Sequence, residues 1–316
     1  MLYINGKIEL IQTGNLEFRN LSFKYNPDSE EYVLKNINLI IPKNQKLGIL
    51  GRSGSGKSTL AKLLIRFYQA TEGEILIDDK NINDIDINHL RDTINYVNQN
   101  TLLFDKSIYY NIAYGFKSNE KRNSSTDNLE ENQISDEDKT KILELLNKYD
   151  LLKVYDRLND NQSKINVNSN NSNVNSSSDA EIQDRLEEEA IFKEDFTQLN
   201  SNSHSQTPSY TPSFSSLNTE QINHYKKKLE LSAGPRGTNL SLGMQKVTIV
   251  TRGILKASKI LIFDEPLAGL DKVTREKVIK MIINETNNKT LIIITHDKEI
   301  IPHLEKVVDL NNINQK

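Results

Sequence analysis

The sequence predicts an α/β domain with a mainly parallel sheet. Three features carry that prediction. The apolar stretch Leu47–Leu50 runs into a glycine-rich turn and then a helical pattern. The apolar run Ile260–Phe263 ends on the acidic pair Asp264 and Glu265. After an opening β section, strand and helix patterns alternate to the C-terminus.

The elements follow in order. Leu16–Tyr25 and Val33–Ile41 alternate or run apolar and read as strands, joined by a loop around Asn26-Pro27-Asp28. Past the glycine turn, Leu60, Leu63, Leu64 and Phe67 fall at helical spacing. Glu74–Ile77 is a short strand before the polar loop Asp78-Asp79-Lys80, Ile94–Val97 a further strand, and Ser107–Ala113 helical. From Ser118 the composition shifts to Asn, Ser, Asp, Glu and Lys, with helices expected at Lys139–Asn147 and Leu151–Leu158. Asn159 to about Asn218 includes an Asn/Ser run at 168–178 and the Ser-rich stretch Ser201–Ser216. Such a tract cannot bury enough apolar area to offset its ordering entropy, so it reads as largely disordered, with a short charged helix at Asp184–Lys193. Order resumes near Lys226. Ser241–Lys256 reads as a helix with Ser241 at its N-cap, Lys259–Phe263 as a buried strand, and Lys272–Glu285 as a helix. Lys289–Thr295 and Lys306–Leu310 are the last strands.

Composition narrows the function. The 316 residues hold 40 basic and 43 acidic side chains, a net charge of −3, so nothing marks a general nucleic-acid or acidic-lipid binder. Cysteine is absent, which excludes disulfides, thiolate metal sites and cysteine nucleophiles. No apolar run approaches the roughly 20 residues of a membrane-spanning helix. Residues 1–14 lack the basic-then-apolar order of a signal peptide. The polypeptide is therefore expected to be soluble by itself, with any membrane attachment supplied by partner chains.

The chemistry begins at Gly51-Arg52-Ser53-Gly54-Ser55-Gly56-Lys57-Ser58-Thr59, which fits the phosphate-cradling pattern G-x-x-x-x-G-K-[ST]. Its glycines sit where a strand turns into a helix N-terminus. There, backbone N–H groups and the positive helix end face one anion. Lys57 is expected to reach the β- and γ-phosphates, and Ser58 to place its hydroxyl on Mg²⁺. Asp264 and Glu265 stand at a strand's C-terminal end, where α/β sheets bind ligands. Asp264 is the candidate metal carboxylate and Glu265 the group that polarises the attacking water.

With these residues in place, the chain resembles the nucleotide-binding domain of ABC ATPases, of the multidrug-resistance and mitochondrial half-transporter exporter type, without its membrane domain. The matching stretches are Leu16–Tyr25, Val33–Ile41, the phosphate loop, Arg66–Ile77, Asn95–Gly115 and Asn239–Asp271. The fold this implies is a P-loop NTPase of the ABC ATPase type: a mainly parallel core sheet, an N-terminal antiparallel β section and a helical subdomain. Residues 1–117 would form the first part, 118–230 the helical subdomain with its inserted tract (about 159–218), and 231–316 the remainder of the same domain. The resemblance implies ATP and Mg²⁺ as cofactors. It implies that Tyr25 stacks on adenine, that Gln99 senses Mg²⁺ and the attacking water, and that His296 is a switch histidine contacting the γ-phosphate and holding Glu265. It places Asp271 in the loop that crosses to a partner subunit.

The same resemblance sets departures in relief. The family's LSGGQ segment, presented across a head-to-tail dimer, reads Leu240-Ser241-Leu242-Gly243-Met244 here. Ser241 and Gly243 remain as ATP contacts for the partner's site. Leu242 adds bulk where a glycine lets backbone approach phosphate, and Met244 removes a glutamine's hydrogen bonds, so slow turnover is expected. Gly234-Pro235-Arg236-Gly237 lacks the acidic residue usual before Arg-Gly, in a loop implied to touch membrane-domain helices. The chain begins close to where an exporter's nucleotide domain begins and ends soon after its last strand.

The leading expectation is an ATPase subunit of a transporter, paired with a second ABC ATPase subunit (homodimer or heterodimer) and with integral membrane domains on other chains. It would then be cytoplasmic and peripheral at the cytosolic face of a membrane, with no direct nucleic-acid contact. The alternatives are a soluble non-transport ABC ATPase acting with nucleic acid or ribosomes, and a hydrolysis-impaired regulatory ATP-binding module. The inserted tract lacks the sustained heptads of the coiled coil carried by DNA-maintenance members.

Overall fold

Two hydrogen-bonded sheets organise the chain in the computed structural model, which describes residues 11, 13–116, 134–158 and 217–314. Strands β1 (Leu16–Phe23), β2 (Leu34–Ile41), β4 (Glu72–Ile77) and β5 (Lys80–Asn81) form an antiparallel sheet in the order β2-β1-β4-β5. The other sheet contains β3 (Lys46–Leu50), β6 (Ile94–Val97), β7 (Ile260–Asp264), β8 (Thr290–Ile294) and β9 (Lys306–Asp309). Its order is β6-β7-β8-β3-β9 and every pairing is parallel.

The parallel sheet divides the core. Ile260, Ile262, Ile292 and Ile294 share an apolar cluster with helix α1 (Lys57–Leu64) and the antiparallel sheet. The alternate residues Leu261, Phe263, Leu291 and Ile293 join a cluster with the helical side of the molecule. Burial on both faces is the physical reason these strands read as continuous apolar runs rather than alternating ones. The helical side contains α3 (Ile108–Ala113), α4 (Asp136–Lys148), α5 (Thr219–Leu229), α6 (Leu242–Leu255) and α7 (Lys272–Glu285). Tyr155 is fully buried there, and its hydroxyl shares a hydrogen bond of 2.9 Å with Thr248 of α6.

Parallel pairing has one consequence for function. The C-terminal ends of β3, β6, β7 and β8 lie on the same edge of the sheet. The phosphate loop, Asp264, and the Thr295-His296 pair are each carried by one of those ends.

Several elements differ from the sequence expectation. Leu151–Leu158 is not an α-helix; only a 3₁₀ turn forms, at Leu152–Tyr155. Helix α4 starts earlier than Lys139, because Ser135 accepts a hydrogen bond from the Asp138 N–H and Asp136, Glu137 and Asp138 face the positive helix end. Order resumes before Lys226: Asn218 and Gln221 form a capping box that opens α5. Helix α2 (Ile87–Thr93), capped by Asp86, and the short helix α8 (Leu310–Ile313) were not anticipated. The expected charged helix at Asp184–Lys193 and the Asn/Ser-rich tract lie outside the described residues. No helix among the described residues is long and apolar enough to cross a membrane.

Candidate functional site

The loop from Gly51 to Thr59 joins β3 to α1. Gly54 and Gly56 adopt φ of 77° and 99°, a region that side chains disfavour. At Gly56 space adds a second constraint, since a Cβ would lie 2.6 Å from the Leu34 side chain. Gly56 is the N-cap of α1, with no side-chain cap and no acidic residue in the first turn. The helix's positive end is thus left for an external anion. Ser55 Oγ is buried without a hydrogen-bond partner, another group that a phosphate oxygen would satisfy. Arg52, Ser53 and Gly54 are exposed. The Lys57 ammonium folds back over the loop and donates to the carbonyls of Gly51 (2.6 Å) and Arg52 (2.9 Å). Burial lowers its pKa, opposed by the charges of Glu265, Asp264 and Asp309. Gripping a phosphate requires that ammonium to exchange loop carbonyls for phosphate oxygens.

Asp264 ends β7 and is 6% exposed. Its Oδ2 accepts from Ser58 Oγ at 2.7 Å and from the Tyr96 hydroxyl at 2.9 Å. No ion pair reaches it among the described residues. A buried carboxylate held only by hydroxyls is costly unless a cation shares it. Ser58 and Asp264 therefore fit Mg²⁺. No group of three or more His, Asp or Glu that could hold a metal occurs among the described residues.

Glu265 is the next residue. It adopts φ of 51°, unusual for a non-glycine. Its N–H donates to the Ile294 carbonyl at 2.9 Å. One carboxylate oxygen accepts from Thr295 Oγ1 at 3.2 Å, and the other lies 2.9 Å from His296 Nδ1. His296 keeps a side chain 64% exposed, so the ring can also turn toward a ligand.

Tyr25 is half-exposed, contacts Phe23 and Tyr68 at right angles (ring centroids 5.0 and 5.3 Å apart), and shares a hydrogen bond of 2.8 Å with Thr59 Oγ1. Gln99 is exposed beyond β6, and no hydrogen bond brings it to Asp264 or Ser58. Ser241 caps α6, its Oγ accepting from the Met244 N–H at 3.3 Å, and Gly243 follows in the first turn. Leu242 is 70% exposed, whereas Met244 is buried in the apolar cluster. Asp271 caps α7 through the Thr274 N–H at 3.0 Å, a bond that also lowers its pKa. Among the described residues, no hydrogen bond or ion pair joins Ser241, Gly243 or Asp271 to the phosphate loop of the same chain.

Sequence reasoning missed Tyr96 and Thr295. The available signal for Tyr96 was a polar-tipped aromatic on a strand ending at the same sheet edge as Asp264. Thr295 ends the expected strand Lys289–Thr295 and directly precedes His296, which was the available signal for it.

A glycine loop opening a helix, with two carboxylates at the end of a parallel strand, defines a nucleoside-triphosphate-binding α/β fold. The sequence pattern of the family described as ABC transporter matches residues 34–268. Curated relatives include "ABC transporter ATM1" of Plasmodium falciparum, 28% identical over 295 residues (93% of this chain, 20% of that one). The Haemophilus influenzae "Glutathione/L-cysteine transport system ATP-binding/permease protein CydC" is 28% identical over 308 residues (95% and 39%). The "ATP-dependent lipid A-core flippase" of Pseudomonas syringae pv. tomato is 50% identical over 111 residues (35% and 18%). Among solved structures, a bacterial Atm1-family ABC exporter with ATP bound shares the fold at a TM-score of 0.62 and 21% identity, covering 97% of this chain and 39% of the other. The chain belongs to the ABC transporter family and contains its ATP-binding domain, the part that hydrolyses ATP. It spans between 20% and 39% of the two relatives that it matches along most of its own length.

Proposed function

We propose that this chain is an ATP-hydrolysing subunit of an exporter, working head-to-tail with a second ABC ATPase subunit and with membrane domains on other chains at the cytosolic face of a membrane. The observation that carries the reading is the adjacency of two differently held carboxylates. Asp264 is bound by hydroxyls of Ser58 and Tyr96, while Glu265 is aimed by Thr295 and His296. One fits a metal and the other a water molecule.

The roles follow from these environments. The Gly51–Thr59 amides and Lys57 hold the triphosphate, and Tyr25 stacks on adenine. Ser58, Asp264 and Gln99 would hold Mg²⁺, which when bound would neutralise charge on the phosphate oxygens. Glu265 takes the proton of the water whose oxygen bonds to the γ-phosphorus as the bond to ADP breaks. His296 holds Glu265 and reaches the γ-phosphate. Ser241, Gly243 and Asp271 serve a partner's ATP. The names of the relatives, which include transport systems and a flippase, support the exporter assignment.

The test is E265Q. It is expected to keep ATP affinity, to lower steady-state phosphate release by about 100-fold or more, and to elute as a dimer with ATP and Mg²⁺. Wild-type turnover together with monomeric elution would remove the assignment.

A further inference from the structure

The carbonyl of Glu265 has an unusual donor. Residue 266 is proline, which contributes no N–H, and the Glu265 backbone is held at φ of 51°. Such a conformation persists only where its surroundings over-determine it. The N–H side is fixed by Ile294 and the carboxylate by Thr295 and His296. On the carbonyl side, Lys246 Nζ donates to Glu265 O at 3.3 Å. Lys246 stands one helical turn beyond Leu242 in α6, so its side chain runs from the helix that presents Ser241 and Gly243 to the carbonyl of the residue after β7. Its ammonium is half-buried. Burial lowers its pKa against the opposing pull of Glu265 and Asp264.

We propose that Lys246 is a positioning residue for Glu265, tying α6 to the backbone of the carboxylate that handles the attacking water. The inference rests on the role of Glu265 proposed above and extends it. Displacement of α6 against the sheet, such as a partner pressing on Ser241 and Gly243, is transmitted through this bond to the direction of the Glu265 carboxylate. Lys246 acts on Glu265 through a bond to its backbone carbonyl, so its loss is expected to act on kcat and not on ATP affinity.

The experiment compares K246M, which keeps the buried stem, with K246R, which keeps a cationic donor. Each is measured for kcat, KM and ATP affinity in the full chain, alongside E265Q. K246M is expected to lower kcat about tenfold, the value of one hydrogen bond to a charged donor, with KM and affinity unchanged. K246R is expected to recover most of that loss, and K246M is expected to add nothing in the E265Q background. K246Q, shorter and uncharged, replaces K246M if the latter shows no cooperative melt, with the same loss expected. Unchanged kcat in K246M, an equal loss in K246R, or a loss expressed as weaker ATP binding would each overturn the proposal while leaving Glu265 in its role if E265Q is inactive. Undiminished turnover in E265Q would remove both.

Discussion

Asp264 carries much of the site's chemistry on one oxygen. Ser58 and Tyr96 both donate to Oδ2, so the carboxylate cannot rotate freely while both donors stay. Burial and the Asp264 charge raise the Tyr96 pKa well above its ordinary value, so the phenol remains a donor across physiological pH. Y96F keeps the ring and removes the donor. Loss of a partner that orients a metal ligand typically weakens the metal about tenfold or more, so the Mg²⁺ midpoint of phosphate release should rise by that order. An unchanged midpoint would make Tyr96 a packing residue. The glycine loop and the Asp264-Glu265 pair were legible because each is contiguous in sequence. Tyr96 and Lys246 were not, because they meet these carboxylates only through the register of β6 beside β7 and the seating of α6.

Helix α6 shows how two neighbouring substitutions in one motif part company. Leu242 projects into solvent at the first helical position, and Met244 is buried two residues on. Leu242→Gly is expected to raise steady-state turnover by removing bulk from the face proposed above to meet a partner's ATP. Met244→Gln would place an amide in an apolar cluster at a cost of about 1–3 kcal/mol, so it should lower the melting temperature without that gain. Equal effects of the two on turnover would contradict this division. The other end of α6 is closed by Lys289, whose Nζ donates to the carbonyls of Ile254 and Lys256 at 2.7 Å each. Burial, with repulsion from Lys256, holds its pKa down to about 8 from 10.5. A lowered folded value means that the unfolded chain binds the proton more tightly between those limits. The resulting penalty is complete below pH 8 and is relieved as pH rises through that window. The urea midpoint of wild type relative to K289M should therefore increase between pH 7.5 and 9.5; a constant difference would show that Lys289 titrates normally.

At the scale of the molecule, both flanks of the inserted tract are fixed on the helical side. The buried Lys228 ammonium donates to the carbonyl of Leu158, and Leu217 packs against the same apolar cluster. The capping box puts Asn218 inside the ordered domain, so a deletion reaching residue 218 would remove a helix cap worth about 1 kcal/mol. Replacing 160–214 by a short Gly/Ser linker, with Leu217 and Asn218 retained, should preserve a single cooperative melting transition and ATP binding, since loop length changes closure entropy slowly. Loss of the transition would show that the tract supports the fold. The helix at Thr219–Leu229 escaped sequence reading because its cap is an asparagine at the edge of an Asn/Ser-rich stretch, where it looks like more of the same.

By itself the sequence determined the strand-turn-helix that makes a phosphate cradle, the acidic end of β7 and the alternation of an α/β fold, because each is written in contiguous residues whose local conformational preferences agree. Only the tertiary structure decided which side chains converge on the two carboxylates. Parallel strands place residues far apart in sequence at one sheet edge, and no local pattern records that Tyr96 and Ser58 would share an oxygen of Asp264 or that Thr295 and Lys246 would join His296 at Glu265.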